Sequence, residues 1–291
     1  MRTNNYLQAI LCLGLLITLG SCEKEMVGDP REHEQSALFQ ATPVAPELSE
    51  ASGMADSKTH PKHLWVHEDS GNATQLYLLG YDGNINRKVF LKGTTNRDWE
   101  AMARLGNDLY VADIGDNNQV HKSYWIYKFA EPTADIDTVS SIQKINFTYA
   151  DGAHDAEAFL IDAKTQDIFL ITKRDSPSRI YKLSLSAANK GLYVATLVGT
   201  LTYAGVVGAA QSPDGKDIII KTYTGLYRYN RTAEESIDEA LGKNFEVLPY
   251  QLEPQGEAVT FANDNSGFFT LSEKGLASAV SLYFYSRNTV L

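Results

Sequence analysis

The residues whose types and spacing point to chemistry are glutamates followed by a small and then an apolar residue. They are Glu50-Ala51-Ser52-Gly53-Met54, Glu100-Ala101-Met102, Glu157-Ala158-Phe159 and Glu257-Ala258-Val259, with a degenerate copy at Gly208-Ala209-Ala210. Each copy precedes an apolar run that ends in polar residues: His67-Glu68-Asp69, Asp113-Ile114-Gly115-Asp116-Asn117, Thr172-Lys173-Arg174-Asp175, Lys221-Thr222-Tyr223 and Ser272-Glu273-Lys274. Clustered carboxylates with Asn and backbone oxygens suit the hard cations Ca²⁺ and Mg²⁺, so Glu100, Glu157 and Glu257 are candidate metal ligands. Interleaved Lys173, Arg174 and Lys221 suit an anionic ligand or charge-balanced structural pairs. The candidate ligand-binding set is thus Glu100, Asp113, Asp116, Asn117, Glu157, Lys173, Arg174, Lys221, Glu257 and Glu273. A structural alternative stays open, in which each repeated Glu accepts hydrogen bonds from a neighbouring backbone. No catalytic residue is assigned: there is no HExxH, GxSxG, P-loop or GxGxxG, and the Asp113 loop lacks EF-hand spacing.

The elements that must position these residues read as strands. Short runs of Val, Ile, Leu, Tyr and Phe separated by Gly, Asp, Asn and Pro cover the chain, and helical periodicity is confined to Thr232–Leu241. The glutamate copies recur at roughly 50 residues, the size of a four-stranded propeller blade. The expected fold is all-β, a single β-propeller of five four-stranded blades, with six blades as the alternative and a β-sandwich behind both. The segment Ala37–Val44 would supply the outer strand that the fifth unit lacks. In such a fold the repeated glutamates line a central channel, and the polar strand ends gather at its mouth. Trp99 and Trp125 are a candidate platform for a sugar ring.

Composition bounds the function. The 291 residues carry 36 acidic and 26 basic side chains, a net charge of −10, which argues against nucleic acid as a partner. The two cysteines, Cys12 and Cys22, exclude a disulfide scaffold or a cysteine zinc cluster. Arg2, the apolar run Leu7–Leu19 and Leu19-Gly20-Ser21-Cys22 read as a lipoprotein signal peptide, 1–21, with Cys22 as the lipidated residue. The run is shorter than the about 20 residues a membrane span needs. Residues 22–35 are charged and unpatterned, as a tether would be, leaving 36–291 as the domain. The expected location is the bacterial envelope, anchored to the outer membrane through Cys22 and facing the periplasm or the surface.

The sets Asp98-Trp99-Glu100-Ala101-Met102 and Ala112-Asp113-Ile114-Gly115-Asp116-Asn117, with Leu64-Trp65-Val66-His67-Glu68-Asp69-Ser70-Gly71 and Gln255-Gly256-Glu257-Ala258, resemble an uncharacterised family of Bacteroidota-type lipoprotein propellers. More remotely they are similar to SdiA-regulated, phytase-like and gluconolactonase-type propellers. The last resemblance implies an axial divalent metal, with Glu100 as the matching ligand. Together these readings predict an envelope lipoprotein that binds a small ligand, glycan or partner protein at its channel mouth. The alternatives are a Ca²⁺- or Mg²⁺-dependent hydrolase of lactones, phosphate esters or glycosides, and a scaffold of an envelope complex.

Overall fold

The computed structural model describes residues 38–185 and 191–291. The expected signal peptide, Cys22 and the whole of the tether lie outside the described residues. Strand β1 (Gln40–Pro43) is followed by β2 (Ala51–Asp56), β3 (His63–Glu68), β4 (Gln75–Gly80) and β5 (Ile85–Leu91), the last four an antiparallel meander. Next come β6 (Trp99–Leu105), β7 (Asp108–Asp113), β8 (Tyr124–Ala130), β9 (Thr138–Val139) and β10 (Gln143–Tyr149). They lead into β11 (Ala156–Ile161), β12 (Ile168–Thr172), β13 (Arg179–Leu183) and β14 (Leu192–Thr200). The chain continues through β15 (Val206–Gln211), β16 (Asp217–Thr222), β17 (Gly225–Asn230), helix α1 (Ile237–Leu241) and β18 (Glu246–Leu248). It closes with β19 (Gln255–Phe261), β20 (Gly267–Glu273), β21 (Ser281–Ser286) and helix α2 (Arg287–Val290). Helix α1 starts at a capping box, Ser236 with Glu239, which satisfies end N–H groups that so short a helix otherwise exposes.

Hydrogen bonding gathers these strands into four sheets, of five, eight, four and four strands. The expected propeller of five, or six, separate four-stranded blades is corrected accordingly, and so is the expectation of equivalent repeats. Two pairings cause the difference. Asn146–Tyr149 of β10 runs parallel to Leu192–Ala195 of β14, which merges two expected units into one eight-stranded sheet. Thr138–Val139 adds a fifth strand, parallel to Phe90–Leu91, to the first sheet. Both pairings satisfy backbone groups that an open outer edge would leave exposed. The end strands of the large sheet, β6 and β11, pack against each other, so that sheet is nearly closed. In the last sheet β1 pairs antiparallel with β21, Gln40 opposite Phe284.

The first strands β2, β6, β11, β15 and β19 pack side by side in a closed order, with β19 returning to β2. They lie in the interior: β2 and β11 are buried at every residue, without the alternation of a half-exposed strand. Every one of the five carries a register shift near its start, between Ala51 and Gly53, Trp99 and Ala101, Ala156 and Ala158, Val206 and Gly208, and Gly256 and Ala258. The skipped residues are Ser52, Glu100, Glu157, Val207 and Glu257. A bulge leaves one residue out of the ladder and re-aims its side chain, so these five positions set what the closed ring presents inward.

Candidate metal centre

Three of the five bulge positions are glutamates, which gives the cluster its chemistry. Glu50 is not one of them: Ser52 holds the corresponding place, and Glu50 instead bridges to Glu273 on the last sheet. Ser52 Oγ donates to the Glu100 carbonyl at 3.0 Å and faces Glu100 Oε2 at 3.5 Å.

Glu100 meets two aspartates outside the candidate set, Asp69 at the polar end of β3 and Asp98 just before β6. Ligand oxygens of Asp69, Asp98 and Glu100 all lie within 4.8 Å of one another. Asp98 is held by its backbone: its N–H donates to Asp113 Oδ1 at 2.8 Å, and its carbonyl accepts from the N–H groups of Ile114 and Gly115. Asn96 ties the two aspartate loops together, accepting from Trp99 N–H at 3.1 Å and donating to the Asp69 carbonyl at 2.8 Å. A Cβ at Gly115 would overlap Glu100 Oε1 and Asp98 Oδ2, so only glycine leaves that space free.

The surrounding charge is unbalanced. Lys173 Nζ contacts Glu157 Oε1, lies 3.9 Å from Glu257 Oε1 and donates to Tyr223 OH at 3.0 Å, while Tyr223 donates to Glu257 Oε1 at 2.6 Å. Glu157 Oε2 is buried and has no hydrogen-bond partner among the described residues. Burial, then the charges of Glu157 and Asp69, push the Glu100 carboxyl well above its usual range. Burial raises Glu157 as well, with Glu257 adding to the effect and Lys173 opposing it. Asp98 is pushed up to about 6, by burial first and Asp69 second, and Glu273 to about 8, by burial first and Glu257 second. Carboxylates crowded in this way share one remedy, a bound cation or a proton. The cluster of Asp69, Asp98 and Glu100 can coordinate a divalent cation.

The other expected site residues are distributed differently. Asp113 serves as the backbone clamp on Asp98. Asp116 accepts from Val120 N–H, His121 N–H and Tyr124 OH, and its own N–H donates to Asp155 Oδ1, which makes it the organiser of its loop. Asn117 and Arg174 meet each other at the surface, and Arg174 Nε also lies 2.9 Å from Asp155. Lys221 is sealed in the interior, 2.6 Å from Glu253 Oε2, with Tyr250 OH as second partner. Trp99 is fully buried and donates Nε1–H to the Thr95 carbonyl, so it offers no platform for a sugar. His67 is buried beside Trp99, and burial drives its imidazole down to about 4, keeping it neutral. The expected binding of ligand at a propeller channel mouth is therefore corrected. The residues assigned to it separate into a carboxylate cluster, a surface pair and a sealed ion pair, and a cavity of about 400 Å³ elsewhere is lined by none of them. Glu253 and Asp98 are the functional-looking residues that recurrence misses, because each occurs once.

No protein-family model and no curated protein matches the chain. Among solved structures it is similar to an auxiliary nutrient binding protein from Bacteroides thetaiotaomicron, at 7% identity and a TM-score of 0.48, covering 86% of this chain and 73% of that one. It is also similar to hydrazine synthase from Kuenenia stuttgartiensis, at 12% identity and a TM-score of 0.41, covering 80% and 70%. The expected kinship with lipoprotein propellers is not upheld, since the sheets are unequal, of five, eight, four and four strands. Among the described residues no helix is long and apolar enough to cross a membrane.

Proposed function

We propose that this chain is a divalent-cation-binding β-domain whose cation is Ca²⁺ or Mg²⁺, held by Asp69, Asp98 and Glu100. The observation that carries the reading is the convergence of three carboxylates from two segments of the chain, with Glu100 and Asp98 flanking the space that Gly115 keeps free. An all-oxygen donor set without His or Cys favours hard cations. The crowding of Glu100 by the charges of Glu157, Asp69 and Glu257 is further support, because a cation at Glu100 would offset it.

Thermal melting of the purified chain with chelator, Ca²⁺ or Mg²⁺ tests this. A cation at about 100 times its Kd contributes about 2.7 kcal/mol, a rise of roughly 5–10 °C for a domain of this size. Asp98→Asn and Glu100→Gln should abolish the rise. Equal melting in chelator and in both cations would overturn the reading. Lipid attachment at Cys22 and an outer-membrane location remain part of the proposal, tested by whether Cys22→Ser releases the protein from membranes.

A further inference from the structure

A cavity of about 400 Å³ lies at the opposite ends of the first strands from the carboxylate cluster. Glu100 is near the start of β6, whereas Leu105 at its end lines the cavity; Ile161, Gln211 and Phe261 do the same for β11, β15 and β19. A volume of this size falls in the range of small-molecule sites, about 300–1,000 Å³.

Its polar groups differ in what they have left to offer. The Asp56 carboxylate is turned to Tyr81 OH at 2.8 Å and Asn263 N–H at 2.6 Å. Asp162 accepts from Lys164 N–H at 2.8 Å and Thr165 N–H at 2.9 Å, and it is ion-paired to Arg231. Asp214 accepts from Ser212 Oγ at 2.7 Å and Lys216 N–H at 3.2 Å. Arg104 is the exception. Its three hydrogen bonds go to the neutral oxygens Asp56 O, Gly106 O and Asn263 Oδ1, and among the described residues no carboxylate lies within ion-pair distance of it, although the Asp56 carboxyl feels its charge from further away. A guanidinium carries five N–H donors, which leaves about two of them free here. Beside it the cavity wall includes the partly exposed apolar side chains of Ala103, Leu105 and Ala209.

We propose that this cavity is a second binding site, for a compact organic anion whose carboxylate lies against Arg104 and whose hydrocarbon part rests on Ala103, Leu105 and Ala209. A carboxylate supplies the in-plane acceptor pair that a guanidinium favours, and the apolar wall gains from covering the tail. The site uses none of the residues of the cation centre, so the two readings stand or fall separately.

Isothermal titration of the full chain with hexanoate and with hexanamide, in chelator and again with saturating Ca²⁺, tests the inference. Hexanoate should bind one to one under both conditions, and hexanamide at least tenfold more weakly. Arg104→Gln should weaken hexanoate at least tenfold, with Arg104→Lys recovering part of the loss. Ala103→Phe, which fills the cavity and leaves Arg104 in place, should abolish binding even if Arg104→Gln folds poorly. Absence of hexanoate binding, equal binding of the amide, or undiminished binding to either Arg104→Gln or Ala103→Phe would overturn the proposal.

Discussion

Removing the Glu131 carboxylate should weaken the contact between the first sheet and the eight-stranded one. Glu131 follows β8, yet its side chain is spent on the opposite sheet, accepting from Ser57 Oγ at 2.6 Å, Lys58 N–H at 3.0 Å, Thr59 N–H at 3.2 Å, Thr59 Oγ1 at 3.0 Å and Trp65 Nε1–H at 2.9 Å. The Lys58 and Thr59 donors sit in a loop that water can reach, so their loss is partly compensated. Ser57 and Trp65 are buried and would be stranded, at about 1–3 kcal/mol each. Glu131→Ala should therefore cost about 3–5 kcal/mol, a fall in Tm near 10 °C. Glu131→Gln keeps one acceptor oxygen and should cost about half as much. The acid side supplies a second readout. Burial alone would raise the Glu131 pKa, but bonds from Ser57, Trp65 and Thr59 outweigh it and hold the group below its usual 4.5. A carboxyl depressed on folding adds stability above its unfolded pKa and loses it as pH falls through the folded one. The parent chain should thus weaken below about pH 4.5, and Glu131→Gln should lack that part of the slope. Thermal and urea melts at pH 7 and pH 3.5 measure both. A Glu131→Ala protein melting within about 2 °C of the parent, with the same acid limb, would refute the reasoning.

The sealed pair Lys221–Glu253 makes a related prediction: Glu253→Ala strands a buried ammonium and should cost about 3–5 kcal/mol, whereas Lys221→Met with Glu253→Leu should recover much of it in denaturant melts. At the cation centre, Gly115→Ala should lower Ca²⁺ affinity at least tenfold by calorimetry, because its methyl occupies the space between Glu100 and Asp98. The chelated chain should also gain stability from Asp98 and Glu273 as pH falls from about 8 towards 4. These carboxyls are raised on folding, to about 6 and about 8, so the folded state holds their protons more tightly. Saturating Ca²⁺ should flatten that gain in melting curves, and an identical pH profile with and without Ca²⁺ would contradict the assignment.

Much of the strand layout is legible in the sequence, because turn residues punctuate apolar runs and each run needs only local information. Sheet membership is not. The parallel pairing of β10 with β14 joins segments about 50 residues apart, and neither strand carries a local sign that its outer edge will be taken up. The bulge glutamates are legible as a pattern, but the register of the first copy is not: Glu50-Ala51 matches Glu100-Ala101 in letters, while Ser52-Gly53-Met54 matches Glu100-Ala101-Met102 in space. A search for recurrence also passes over Asp98, two residues before Glu100, since its role depends on a loop that brings Asp69 beside it. Lys221 reads as a ligand-facing end of a strand because its counter-ion, Glu253, is supplied by a loop far along the chain.

The pairing of β1 with β21 bears on the order of events during synthesis. Gln40–Pro43 is among the earliest segments of the described chain to be made, and its partner, Ser281–Ser286, is among the last. The backbone groups of β1 that face β21 must therefore wait for that partner until Ser281–Ser286 has left the ribosome. A nascent chain halted before Ser281 would hold a sheet with a vacant lane beside β20, and a peptide carrying the sequence of β21 could occupy it from outside.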